Sequence, residues 1–159
     1  FAGLALARAG LRPILIDRGK AVEDRITDVE TFMREGRLDP ESNIQFGEGG
    51  AGTFSDGKLY TMINDPRSQY VFEELIEAGA PPEIAYTAKA HVGTDILRIL
   101  VKNLRKKLIT LGAEIYFSTR LSDLEIVDGR LVAIMVERND PSSYPKGEAG
   151  RSVPKTGER

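Results

Sequence analysis

A short apolar segment between two helical patterns constrains this chain more than any other feature. Residues 2–9 are typical of the second half of an apolar helix, and Gly10 stands where glycine commonly ends helices. Residues 13–16 then form an apolar run, bounded by Gly10 and Gly19, of the kind found in buried parallel strands. Because parallel strands are joined through helical crossovers, this order predicts an α/β fold.

The rest of the sequence predicts helix, loop, helix, helix, strand and hairpin, in that order. Residues 22–35 have a helical pattern that ends near Gly36, and residues 37–58 form a long loop. Two further helices are predicted to start at Asp65, as N-cap before Pro66, and at Thr94, also as a cap. An extended connection is predicted at residues 81–82, strands at 113–118, 121–127 and 131–137, and a tight hairpin turn at 128–129.

The length of the chain is that of one ordinary domain, and its composition excludes several kinds of catalytic and metal-binding site. The chain has 159 residues, a net charge of −2, no cysteine and one histidine, His91. These counts exclude a disulfide scaffold, a cysteine nucleophile and a multi-histidine metal site built from this chain alone. We place a domain at residues 1–137 and interpret residues 138–159, rich in proline and glycine, as a flexible tail or truncated insertion. Since Phe1 lies within a helical pattern, we expect the chain to be a fragment.

Asp17 is the first candidate for a binding residue. It follows a helix, a turn and an apolar strand, and this order is that of the second half of a dinucleotide-binding unit. In such a unit, the acid at the end of the strand accepts hydrogen bonds from a ribose. The glycine turn that approaches the pyrophosphate would lie before Phe1. Many parallel strands end in an acid without binding a nucleotide, so the alternative is a purely structural Asp17.

Residues 47–52 match G-x-G-x-x-G, but they neither follow a clear strand nor open a helix. We therefore do not interpret them as a Rossmann fingerprint. Two interpretations stay open, a flexible glycine loop and a backbone nest whose amides contact phosphate or flavin oxygens. Residues 52–59 resemble a P-loop, but Leu59 replaces the Ser or Thr that would hold Mg²⁺, which argues against a nucleoside triphosphatase.

Basic residues cluster near the end of the helix that begins at Thr94. We interpret them as a solvated helix face, with nucleic-acid contact as the alternative; they are Lys102, Arg105, Lys106 and Lys107. His91 precedes this helix, and a packing or capping role is favoured over catalysis.

Three blocks together resemble a known family, the bacterial FAD-dependent dehydrogenases within the two-dinucleotide-binding-domain flavoproteins. They are residues 2–20, residues 46–59 and residues 91–95 with the helix behind them. The strand and hairpin at 113–137 resemble the segment that returns to the FAD domain in that superfamily. The resemblance implies a partial Rossmann-like FAD-binding domain with an inserted helical and loop segment and a C-terminal β-hairpin.

The resemblance also implies site residues by position. Asp17 would bind the adenosine ribose with Arg18 beside it, and the pyrophosphate and ribityl side of FAD would face Gly49, Gly50 and Thr53. The backbone of Leu121 would contact adenine. Two positions depart from the family pattern: Asp17 stands where Glu is usual, and Ala90 where Pro is usual.

The implied function is flavin-mediated electron or hydride transfer by a cytoplasmic FAD-dependent oxidoreductase, acting on an unknown small-molecule substrate, with NAD(P)H as a candidate electron donor. The catalytic residues stay unassigned. We expect no nucleic-acid partner, no membrane span and no metal, and we expect this chain alone to be inactive and to bind FAD poorly. The alternatives are a flavin-fold nucleic-acid-modification or binding factor and an inactive truncated remnant.

Overall fold

The computed structural model describes residues 1–59, 65–87 and 90–138. The predicted order of helices and strands is confirmed except for two additional two-residue strands, Lys58–Leu59 and Ala90–His91, and the architecture is mixed α/β. The elements are α1 (Ala2–Arg8), β1 (Ile14–Ile16), α2 (Val22–Glu35), β2 (Lys58–Leu59), α3 (Ser68–Glu77), β3 (Ala90–His91), α4 (Thr94–Thr110), β4 (Glu114–Tyr116), β5 (Thr119–Val127) and β6 (Arg130–Arg138), with short 3-10 helices at Ala51–Phe54 and Pro82–Ala85. Of the predicted tail, residues 138–159, Arg138 is the last residue of β6, and the rest lies outside the described residues.

Strands β1 and β4 form the parallel pair that positions the candidate site. Leu15 lies opposite Ile115, and the ladder continues where the Asp17 amide donates to the Tyr116 carbonyl at 2.9 Å. Because parallel strands end at the same edge of a sheet, the residues that follow β1 and β4 are neighbours in space. This edge therefore carries residues 17–20 and residues 117–119.

Two apolar clusters support this arrangement. The first joins α1, α4 and the β1–β4 pair through Leu4, Leu108 and Ala113, with Leu15 and Ile115 packed against them. The second joins α3, the 3-10 helix Pro82–Ala85, the residue that follows β3, and α4; its members are Leu75, Ala78, Ala80, Ile84, Val92, Leu97 and Leu100. Helix α4 contributes to both clusters, because its leucines recur at helical spacing.

The β5–β6 hairpin turns at Asp128 and Gly129, whose φ angles are 50° and 73°. Positive φ at both turn residues is the geometry that the predicted Asp-Gly turn requires. Cross-strand pairs such as Leu124 with Ile134 line one face of the hairpin, and these apolar side chains are exposed. The remaining strands, β2 and β3, form a two-residue antiparallel pair.

Several predicted element boundaries differ from the observed ones, among them β4, which is shorter than predicted, and β5, which begins two residues earlier. Helix α3 begins at Ser68 instead of following an Asp65 cap, because Asp65 closes a turn by accepting the amides of Arg67 and Ser68. Helix α4 has Gly93 as its N-cap, so Thr94 is its first residue. The predicted extended connection contains the 3-10 helix Pro82–Ala85 after an extended Pro81.

In the described ranges, no helix is both long enough and apolar enough to span a membrane.

Candidate functional site

A glycine-rich loop, which we define as residues 43–53, packs against the turn that follows β1. A Cβ placed on Gly19 would collide with the backbone of Gly47, so the two chains approach with no room for a side chain. The Glu48 amide also donates to the Lys20 carbonyl at 3.0 Å. These contacts fix the glycine-rich loop at the carboxyl end of β1.

The segment that follows β4 joins the same place. The Ser118 amide donates to the Gly19 carbonyl at 2.8 Å, and the Thr119 amide donates to the Asp17 carbonyl at 2.9 Å. Ser118 has a φ of 49°, so the backbone bends between β4 and β5. Three segments distant in sequence therefore meet at one sheet edge: the turn after β1, the glycine-rich loop and the start of β5.

Asp17 is half-buried at this edge and shapes the turn. Its Oδ1 accepts the Gly19 amide at 2.8 Å, which closes an Asx turn. A carboxylate carries two oxygens with several acceptor positions, so this bond leaves capacity for a ligand hydroxyl. Arg18 instead forms a two-pronged ion pair with Glu41, in which Nη2 lies 2.8 Å from Oε1, and its guanidinium lies over the Phe46 ring.

The glycine-rich loop has a packed side and an open side. Gly49 has a φ of 82°, and a Cβ there would lie 2.6 Å from Thr53 Cγ2 and 3.0 Å from Val101 Cγ1. A Cβ on Gly50 or Gly52 would meet no atom within 4 Å. The open side thus presents backbone without side chains, which lets a ligand approach closely.

Arg25 fills the packed side. It is 0% exposed, and its guanidinium donates to the carbonyls of Asn43, Ile44, Glu48 and Gly50. A Cβ on Gly47 would collide with the Arg25 side chain. Burial lowers the pKa of the Arg25 guanidinium, and the nearby charges of Asp17 and Glu48 oppose that shift. The loop is therefore wrapped around a buried cation.

Sequence reasoning missed Arg25, although one signal marks it. Arg25 lies three residues after Val22 and four before Val29, on the buried stripe of α2. A cation on an apolar helix stripe needs partners, and here they come from the glycine-rich loop.

Glu48 was also missed, and it caps helix α2. Its Oε2 accepts the Val22 amide at 2.9 Å and lies 3.3 Å from Arg105 Nη1. Burial raises the pKa of the Glu48 carboxyl, while the Val22 amide and Arg105 lower it. The residue in the N-cap position, Ala21, has no side-chain acceptor, so the loop supplies one.

The other predicted site residues have varied surroundings. The Thr53 side chain is buried, and its hydroxyl donates to the Gly50 carbonyl at 2.7 Å and accepts from Arg25 at 3.1 Å. The Thr53 hydroxyl therefore bonds only to Gly50 and Arg25 among the contacts described, and it helps to fix the fold of the loop.

Leu121 is exposed on β5, two residues beyond Thr119, next to a β-bulge. His91 is exposed on β3, opposite Lys58.

The basic cluster on α4 is largely paired with acids. Lys102 and Arg105 both approach Glu23, with Arg105 at 2.6 Å, and Lys107 lies 2.8 Å from Glu74. Cations that are neutralised in this way offer less positive field to a nucleic acid. The predicted solvated face is wrong for Lys102, Arg105 and Lys107, whose side chains are half-buried and ion-paired; Lys106 is exposed.

No family model matches the sequence. A relative from Clostridium beijerinckii, described only as an uncharacterized protein, is 54% identical over 136 residues. The matched region is 86% of this chain and 26% of the relative. The chain therefore spans 26% of the length of a relative that is much longer than itself.

Proposed function

We propose that this chain forms part of the FAD-binding unit of a flavin-dependent oxidoreductase. The observation that supports this most is the meeting of the Asp17 turn, the glycine-rich loop and the start of β5 at the carboxyl ends of two parallel strands. In open α/β sheets, ligands bind outside the carboxyl ends of the strands. The residues that the family resemblance implicates thus lie on segments in contact with one another.

The residues at this edge fit the parts of FAD. Asp17 can accept a ribose hydroxyl through the carboxylate capacity that its Asx turn leaves unused. The empty space around Gly50, next to the exposed backbone of Gly49, allows close approach of a pyrophosphate. The backbone near Leu121 begins next to the Asp17 turn, where it can meet adenine.

Arg18 and Thr53 fit in a supporting role. Arg18 is held by Glu41, and the Thr53 hydroxyl is held by Arg25 and Gly50, so both stabilise the surroundings of the site. Bound FAD would supply the electron or hydride chemistry through its ring, with NAD(P)H as the candidate donor. The chain itself binds and orients the adenosine and diphosphate end.

The test is the flavin content of the full-length gene product that contains this chain. We expect a yellow protein with flavin absorbance, and we expect the released cofactor to migrate as FAD on chromatography. A colourless protein, folded by circular dichroism, that takes up no added FAD would overturn the proposal. Release of FMN instead would contradict the diphosphate assignment.

A further inference from the structure

We propose that Arg25 is the positioning residue that turns the backbone amides of Gly49 and Ala51 outward to bind a diphosphate anion. The inference rests on the proposed function, in which this anion is the pyrophosphate of FAD. It assigns a role to a buried side chain that itself does not reach the ligand.

The first step is the direction of two carbonyls. Arg25 Nη2 donates to the Gly50 carbonyl at 3.0 Å, and Nη1 donates to the Glu48 carbonyl. Both carbonyl oxygens therefore point toward the buried guanidinium. The Thr53 hydroxyl adds a 2.7 Å bond to the Gly50 carbonyl and fixes its direction further.

The second step is the planarity of the peptide bond. Every peptide bond in the described ranges is trans, so each N–H points opposite to the C=O of the same peptide unit. The unit that carries the Glu48 carbonyl carries the Gly49 amide, and the unit that carries the Gly50 carbonyl carries the Ala51 amide. With both carbonyls turned inward, both amides face away from Arg25.

The third step is exposure. Gly49 and Ala51 are both exposed, and the space around a Cβ on the intervening Gly50 is empty. The intervening Gly50 amide donates to the Gly47 carbonyl, so the Gly49 and Ala51 amides are the two donors of this stretch that the inward carbonyls leave for an anion. Hydrogen bonds to a charged acceptor are among the stronger ones, so the pair can distinguish a phosphate oxygen from water.

Only arginine suits this position. Its planar fork reaches four carbonyls at once, from Asn43 to Gly50, whereas a lysine ammonium carries three donors at one point. An Arg25→Lys variant keeps the charge and loses this geometry. We expect its loop to lose the outward orientation of the amides.

The experiment is a titration of the isotope-labelled 159-residue chain with inorganic pyrophosphate, followed through backbone amide NMR signals. The variants are Arg25→Lys and Ala51→Pro, with Arg34→Lys on the exposed side of α2 and Ala51→Gly as matched controls. Proline at position 51 removes one amide hydrogen, and it is tolerated because it begins a short helix after Gly50, whose ψ is −158°. Glycine at position 51 keeps the amide.

We expect the Gly49 and Ala51 amide signals of the wild-type chain to move most, and both controls to behave alike. In the full-length protein, Arg25→Lys and Ala51→Pro should each weaken FAD binding about tenfold. If Arg25→Lys does not fold, the comparison of Ala51→Pro with Ala51→Gly still decides the result.

In the pyrophosphate titration, each of three outcomes would overturn the inference: no movement of the Gly49 and Ala51 signals, equal pyrophosphate affinity of Ala51→Pro and Ala51→Gly, or wild-type pyrophosphate affinity in a folded Arg25→Lys. Unchanged FAD binding in both variants would overturn it and leave the proposed function standing. Pyrophosphate binding with the expected pattern, in a full-length protein that takes up no FAD, would refute the flavin assignment and keep the role of Arg25.

Discussion

The Glu48 carboxylate accepts the backbone amide of Val22 at 2.9 Å, so an acid of the glycine-rich loop caps helix α2. This one bond ties the loop to the first turn of the helix that carries Arg25. An acid at a helix N-terminus is stabilised by the helix dipole, although burial opposes its ionisation.

The raised pKa of Glu48 predicts how stability depends on pH. Between the ordinary and the raised pKa, the folded protein binds more protons at Glu48 than the unfolded chain does, so this residue makes stability fall as pH rises. Glu48→Gln lacks this titration. We expect the unfolding free energy of the wild type, minus that of Glu48→Gln, to decrease in urea titrations as pH rises above about 4, the ordinary glutamate pKa. A difference that rises with pH would contradict the assignment.

The contact between Gly19 and Gly47 predicts a steric effect without backbone strain. Neither Gly19 nor Gly52 has a left-handed φ, but a Cβ on Gly19 meets backbone while a Cβ on Gly52 meets open space. Gly19→Ala should lower the unfolding free energy by about 1–3 kcal/mol. Gly52→Ala, the matched control, should change it by less than about 0.5 kcal/mol. Equal effects of the two variants would show that the contact between Gly19 and Gly47 leaves room for a side chain.

Glu74 predicts a second contrast within one ion-pair network. Its side chain is 2% exposed and lies 2.6 Å from Arg8 and 2.8 Å from Lys107, so it joins α3 to α1 and α4. Glu77 contacts the same two cations from an exposed position. Glu74→Gln should lower the unfolding free energy by about 1–3 kcal/mol, because it leaves two cations short of a buried partner. In thermal unfolding, Glu77→Gln should lose much less stability than Glu74→Gln. A larger loss for Glu77→Gln would contradict the role of Glu74 as the buried partner of the two cations.

Asp17 predicts an effect on cofactor affinity that is separable from folding. Asp17→Asn keeps an Oδ1 acceptor for the Gly19 amide and removes the negative charge that strengthens a bond to a ribose hydroxyl. In the full-length protein, FAD affinity should fall roughly fivefold to tenfold. Asp24→Asn, in the exposed first turn of α2, is the control and should retain FAD like the wild type. An unaffected Asp17→Asn would remove Asp17 from the ribose site.

The ion pairs of α4 predict weak affinity for nucleic acid. With Lys102, Arg105 and Lys107 paired, the chain should pass through an immobilised RNA or DNA column at about 0.15 M salt. Retention that falls steeply as salt rises would support the nucleic-acid alternative instead.

Much of the fold could be predicted because its signals are local. Helix α2 has the predicted bounds, Val22–Glu35, because a helical pattern is followed by Gly36 with a φ of 70°. The hairpin turn at Asp128 and Gly129 is likewise encoded by two adjacent residues. The Asp65 and Thr94 caps were misplaced because cap geometry depends on bonds that the pattern does not specify.

The interior of the candidate site could not be predicted, because it is made by partners distant in the chain. The position of Arg25 on the apolar stripe of α2 indicates that its charge needs partners, but only the folded loop shows which carbonyls accept its hydrogen bonds. The bonds of the Thr53 hydroxyl to Arg25 and Gly50 also join distant parts of the chain, and the role of Thr53 toward the cofactor stays a prediction. Sequence spacing identifies the segments of the site but not which atoms turn inward.

The burial of Arg25 has a consequence for how the molecule opens. If the glycine-rich loop detached alone, its carbonyls would lose their bonds to the Arg25 guanidinium and α2 would lose its cap, so detachment costs more than ordinary loop fraying. Loop and helix should therefore unfold as one cooperative unit, with their amide hydrogens exchanging together. Glycine content alone would suggest a mobile hinge, whereas these bonds predict that the loop is as protected from hydrogen exchange as α2.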